Sequence, residues 1–96
     1  MATIQTTQIY DEWFEALRDR QAQARITARI RRLSLGNPGD YRNLKNGVTE
    51  MRIDHGPGYR VYYCTRAGIT YILLCGGDKK TQSDDVEQAY TLAKDV

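Results

Sequence analysis

Cysteine is scarce in this chain, with only Cys64 and Cys75 among 96 residues. Both sit inside apolar, strand-like runs, where they read as reduced, buried thiols behaving as small hydrophobes. Histidine is scarcer still. His55 stands alone in a turn, so the paired Cys/His spacing that holds a metal is missing. Neither a metal nor another cofactor is expected, and His55 reads as an exposed turn residue. Long hydrophobic runs are absent too: the longest, Tyr71-Ile72-Leu73-Leu74-Cys75, is far too short to cross a bilayer. Met1-Ala2-Thr3 does not begin a charged segment followed by an apolar stretch, the layout of a secretion signal. The expectation is a cytoplasmic protein with no membrane partner.

The chain also lacks a strong excess of either charge, its formal net charge being +2. That total alone does not point to nucleic acid, but its distribution is informative. Many acids cluster near expected helix starts, namely Asp11, Glu12, Asp84, Asp85 and Glu87, where they oppose the positive end of a helix dipole. Set those aside and the remaining surface is distinctly basic. The length suits one domain over residues 1–96, with a thin core that a binding partner would stabilise further.

What is present follows two periodicities. Thr3-Ile4-Gln5-Thr6 is a short β-type opening. Tyr10, Trp13, Phe14 and Leu17 then mark an amphipathic helix that Thr7 can cap. A second helix runs from about Gln21 to Leu35, with Ala22, Ile26, Ile30 and Leu33 on one face. Arg25, Arg29 and Arg32 form a stripe on its other side, read either as a solvated face or as the wall of a nucleic-acid groove. Gly36-Asn37-Pro38-Gly39-Asp40 stops it.

Alternation by twos then takes over. Val48 to Asp54 puts Met51 and Ile53 on one face and Glu50, Arg52 and Asp54 on the other. After the turn Gly56-Pro57-Gly58, Val61 and Tyr63 oppose Arg60, Tyr62 and Cys64. Ala67-Gly68 turns the chain into Ile69 to Cys75, the most apolar strand and the expected centre of the sheet. A last helix from Ser83 carries Val86, Ala89, Tyr90 and Ala93 on one face. The predicted class is α+β in the order β-α-α-β-β-β-α. A small, mainly antiparallel sheet packs on two N-terminal helices, its other face displaying Glu50, Arg52, Arg60 and Tyr62.

That face, with Lys79 and Lys80 just past a strand end, is a candidate for phosphodiester chemistry. Cleaving RNA needs a base for the ribose 2′-hydroxyl, positive charge at the phosphorane oxygens, and an acid for the leaving oxygen. Arginine grips phosphate bidentately, lysine stabilises charge or exchanges a proton, and Glu50 could serve as base. The bland alternative stands beside it: Glu50 and Arg60 as an ordinary cross-strand pair, Tyr62 as a packed sheet tyrosine, Asp78-Lys79-Lys80 as a solvated turn.

Three runs carry a family resemblance. They are Leu44-x-x-Gly47-Val48-x-Glu50-x-Arg52-Ile53, Gly56-Pro57-Gly58-Tyr59-Arg60-Val61-Tyr62-Tyr63, and Leu73-Leu74-x-Gly76-Gly77-Asp78-Lys79-Lys80-Thr81-Gln82. With Trp13-Phe14 and Arg25-Ile26-x-x-Arg29-Ile30-x-Arg32-Leu33 upstream, the chain resembles the RelE/ParE toxin superfamily and, within it, the HigB-like addiction-module killer proteins. The resemblance implies the toxin of a type II toxin–antitoxin system, a metal-independent ribonuclease that cuts mRNA on the ribosome through attack by the 2′-hydroxyl. Arg60 and Lys80, or Lys79 if the match shifts by one, correspond to residues that stabilise the phosphate, and Arg52 to one that positions it. Glu50 takes the place of a basic residue, and Ser83-Asp84-Asp85-Val86 lacks the terminal tyrosine or histidine many such nucleases use. The base is therefore open among Glu50, Lys80 and Tyr62. The RNA contacts expected beside Glu50, Arg52, Arg60 and Lys80 are Tyr62, Lys79, Gln82, Arg25, Arg29 and Arg32.

The resemblance also implies a helix-turn-helix antitoxin partner, through which operator DNA would be bound, in addition to mRNA and the ribosome. A second function class stays open: ParE-like members of the fold are gyrase inhibitors that cut nothing. A third is an inactive relic that only binds its antitoxin.

Overall fold

A computed structural model describes residues 2–96. Strand β1 (Thr3–Thr6) leads into helices α1 (Gln8–Ala16) and α2 (Arg20–Ser34). Strands β2 (Tyr41–Asn43), β3 (Thr49–Ile53), β4 (Tyr59–Arg66) and β5 (Thr70–Gly77) follow, and α3 (Gln82–Asp95) ends the fold. The class is α+β, with one mixed sheet in the order β1-β5-β4-β3-β2. β1 pairs in parallel with β5, and the remaining pairs are antiparallel.

Local chemistry sets the helix starts. The Thr7 hydroxyl accepts from Tyr10 N–H at 3.0 Å, and the Asp19 carboxylate accepts from the backbone N–H groups of Gln21 and Ala22. His55 is not the exposed turn residue expected: its side chain is only 16% exposed, because Nε2 lies 2.9 Å from Asp19 Oδ2. That contact ties the β3–β4 turn to the first turn of α2.

Three features differ from the sequence reading. Tyr41–Asn43 forms a short edge strand that periodicity did not reveal, since all three residues are exposed. The middle of the sheet is β4, with β5 one place off centre between β1 and β4. Most consequential, the second face of the sheet is not open. Beneath α1 and α2 lies one core of Tyr10, Ile26, Leu33, Met51, Ile53, Val61, Tyr63 and Leu73. On the opposite face Val48, Tyr62, Cys64, Ile72, Leu74 and Cys75 pack against Ala89 of α3, with Val86 and Tyr90 beside them. This explains why β5 is apolar on both sides: it is covered twice. Burial pushes the Cys75 thiol up to about 12 and raises Cys64 as well, so both behave as core atoms.

The glycine pair at the end of β5 makes the two-sided packing possible. Consecutive strand residues point to opposite faces. A Cβ on Gly76 would sit 2.3 Å from the Trp13 ring of α1, and one on Gly77 would sit 1.7 Å from the Asp85 carboxylate of α3. At its far end α3 is held by Arg66, whose guanidinium donates to Ala93 O at 2.9 Å and through Nε to Val96 O at 3.0 Å.

Candidate functional site

Arg52 of β3 and Arg60 of β4 are direct cross-strand partners, so both side chains leave the sheet on the same face. They line a recess of about 290 Å³ together with Asp40, Ile53, Asp54, Gly58, Tyr59 and Lys79. The turn before β4 shapes its floor. Gly58 has φ +82°, a region L side chains rarely adopt, and its carbonyl accepts from Arg60 Nη1 at 2.8 Å. Arg52 is aimed by Asp40, whose Oδ1 lies 3.2 Å from Arg52 Nη2.

Arg29 braces this arrangement from behind. Its Nη1 donates to Arg52 O at 2.6 Å, and its Nη2 donates to Pro38 O and Asp40 O, both at 3.1 Å. Burial lowers its affinity for its proton, and neighbouring Asp40 opposes that shift. Arg29 was expected as an RNA contact; its Nη1 and Nη2 are instead engaged with three backbone carbonyls, while its buried Nε has no hydrogen-bond partner among the described residues. Arg25 and Arg32 are exposed and line a second groove of about 270 Å³ with Ala28, Arg29, Ile53 and Asp54. Ile53 and Asp54 line both, so the two depressions adjoin.

Glu50 and Tyr62 are not on an open face. Both are wholly buried beneath α3, so neither reaches a ribose hydroxyl or stacks on a base. Instead they form a polar knot. Glu50 Oε2 accepts from Tyr62 Oη at 3.1 Å and from Gln82 Nε2 at 2.9 Å. Arg60 Nε stands 3.8 Å from the same oxygen. Burial, reinforced by the adjacent carboxylate, pushes the Tyr62 phenol far above its ordinary value, so it stays protonated and donates. Gln82, expected as an RNA contact, is thus engaged inside the protein.

The two lysines separate. Lys79 lines the recess; Lys80 is exposed in the turn, outside that lining, with its backbone N–H donating to Asp78 Oδ1 at 2.9 Å. Three polar residues of the site escaped the sequence reading. Asp40 hid in the loop that stops α2, and Asp54 was noted only for its sheet face. Arg42 lies on the unpredicted strand β2, where it pairs across to Glu50, Nη2 to Oε1 at 3.5 Å. A cluster of Asp40, Tyr41 and Arg42 after a glycine-proline stop was the one available signal.

The site therefore offers two adjacent guanidiniums and an ammonium around an open recess, with carboxylates at its rim. Such a recess suits an anionic, phosphate-bearing ligand. Comparison with known proteins accords with the three-run resemblance. Residues 12–95 match the family described as Phage derived protein Gp49-like (DUF891). An uncharacterized protein of Haemophilus influenzae is 48% identical over 93 residues, covering 97% of this chain and 94% of its own.

Proposed function

The chain belongs to the phage-derived Gp49-like family, and from that membership we propose that it is the toxin of a type II toxin–antitoxin pair, cutting mRNA on ribosomes in the cytoplasm. The observation that carries this reading is the side-by-side placement of Arg52 and Arg60 with Lys79 around one recess. Two planar guanidinium forks at neighbouring strand positions can hold the non-bridging oxygens of a phosphodiester. Their charge counts most where it meets the extra negative charge of the phosphorane.

In this reaction a base removes the 2′-hydroxyl proton, the 2′-oxygen attacks phosphorus, and the P–O5′ bond breaks. The 5′-oxygen leaves as a hydroxyl on receiving a proton, and a 2′,3′-cyclic phosphate remains. Asp40 is occupied by Arg52, whereas Asp54 lines the recess and forms no ion pair among the described residues. Asp54 is the carboxylate suited to the base, and Lys79 to the proton donor, in place of Glu50, Tyr62 and Lys80. Arg25 and Arg32 extend the basic surface along the adjoining groove, where further backbone phosphates would lie. A helix-turn-helix antitoxin would neutralise the toxin and carry operator binding.

Primer extension on mRNA after induced expression tests the proposal. Wild type should leave discrete cuts and stop growth. Arg60→Ala and Asp54→Asn, checked for folding, should lose both, with a rate loss of about a hundredfold or more for the arginine. Lys79→Ala should be impaired more than Lys80→Ala. Growth arrest without cuts would sink the nuclease reading. The burial of Glu50 and Tyr62 favours a second one, a ParE-like inhibitor of DNA gyrase that cuts nothing. Arrest accompanied by gyrase inhibition and intact mRNA would establish it.

A further inference from the structure

A fully buried carboxylate is a costly way to fill the core of a small domain. Removing a charge from water is repaid only by good hydrogen bonds and close cations, and packed apolar groups often do as well. Glu50 is such a group, and its surroundings divide cleanly between its two oxygens. Oε2 holds Tyr62 Oη and Gln82 Nε2 and faces Arg60 Nε; Oε1 has no hydrogen bond and faces Arg42 Nη2 at 3.5 Å. One arginine stands at the recess and the other on the edge strand. The Arg60 side chain is only 12% exposed; its Nη1 is hydrogen-bonded to Gly58 O, and its Nε, without a hydrogen bond, faces the Glu50 carboxylate at 3.8 Å. The Arg42 side chain is 52% exposed, with Glu50 as its ion-pair partner among the described residues.

We infer that Glu50 is a positioning residue that orients Arg60 and Arg42 together, and that Arg42 is a further phosphate contact for single-stranded RNA lying across the recess and the edge of the sheet. The inference rests on the RNA reading above and deepens it. Across the sheet, Arg42, Glu50 and Tyr62 form one row, and Arg52 and Arg60 form the next. Two arginines, Arg42 and Arg60, thus flank a single hidden anion, which sets their directions without presenting its own charge to the ligand, while Arg52 in the next row is aimed by Asp40. Tyr62 and Gln82 hold that anion still, linking the first turn of α3 to the RNA-facing groups.

Simple electrostatics and positioning predict opposite signs. Glu50→Gln raises the net charge from +2 to +3, which by charge alone strengthens binding to RNA. Positioning predicts the reverse. The experiment is fluorescence anisotropy of a labelled single-stranded RNA oligonucleotide over a sodium chloride series. Wild type is compared with Arg60→Ala, Arg42→Ala, Glu50→Gln and Tyr62→Phe, each checked by circular dichroism. Glu50→Gln should bind several-fold more weakly. Tyr62→Phe, which loosens Glu50 without changing charge, should also weaken binding while leaving the salt slope unchanged. Arg42→Ala should lower affinity and make the slope shallower by about 0.7, the value of one phosphate contact on a single strand. If Glu50→Gln does not fold, the Tyr62→Phe and Arg42→Ala results decide. Unchanged binding in Tyr62→Phe, an unchanged slope in Arg42→Ala, or tighter binding by folded Glu50→Gln overturns the inference, provided Arg60→Ala still weakens binding. If wild type fails to bind, or Arg60→Ala binds equally well, the RNA reading falls with it.

Discussion

The carboxylate of Asp19 is shared between a helix end and a distant turn: Oδ1 accepts from the backbone of Gln21 and Ala22, while Oδ2 lies 2.9 Å from His55 Nε2. The hydrogen bond with His55, followed by those from the backbone, holds the Asp19 carboxyl below its usual range. A depressed carboxyl contributes stability that is present above its unfolded value and lost as pH falls through the folded one. Wild type should therefore lose melting temperature in acid more steeply than Asp19→Asn. Thermal melts of both proteins between neutral pH and pH values below the normal carboxylate range check this.

Arg29 should prove structural. Truncating it to alanine strands the carbonyls of Pro38, Asp40 and Arg52, two of which border the recess. Hydrogen bonds from a charged donor contribute about 1.5–3 kcal/mol each, but water can reach part of this site, so a total of about 2 kcal/mol is expected. Urea unfolding measures it. Arg29→Lys should recover only part, because one ammonium cannot span the three carbonyls with a planar fork.

Gly76 should not tolerate a methyl group. A Cβ there overlaps the Trp13 ring, which packs against the α1-side core. Overpacking of this kind costs about 1–3 kcal/mol. Gly76→Ala should lower the unfolding free energy measured in urea by that amount, and Trp13→Leu in the same chain should relieve part of it. A midpoint equal to wild type would contradict the packing described.

The β4–β5 hairpin can be improved. Ala67 adopts φ +54° and Gly68 φ +73°, the two central residues of the turn closed by Ile69 N–H donating to Arg66 O, and both occupy the left-handed region. Alanine accepts that region poorly, asparagine readily. Ala67→Asn should stabilise the protein by about 0.5–1 kcal/mol, read as a higher melting temperature without change in RNA binding.

Much of the fold was legible because its signals are local. Thr7 before Tyr10-Trp13-Phe14 marks a capped, one-sided helix, and alternation from Val48 to Asp54 marks a strand whatever lies above it. Strand β2 left no such mark. Tyr41, Arg42 and Asn43 are all exposed, and β3, rather than their own pattern, makes them a strand. The apolar character of Ile72, Leu73 and Leu74 on both sides was visible in the sequence. Its cause, a second layer formed by α3, was not.

The candidate site divides the same way. Alternation within β3 and β4 was enough to put Arg52 and Arg60 on a common face, since a two-residue period fixes sides without any partner. Whether a side chain on that face meets water depends on what arrives from elsewhere in the chain. Docking of α3 hides Glu50 and Tyr62 and leaves Lys79 at the recess. The amino-acid order alone determined the elements, their turns and the sidedness of the charges, because these depend on neighbours a few residues apart. Only the tertiary structure decided which charges act on a ligand and which act on one another, because burial and hydrogen bonding join residues as distant as Glu50 and Gln82.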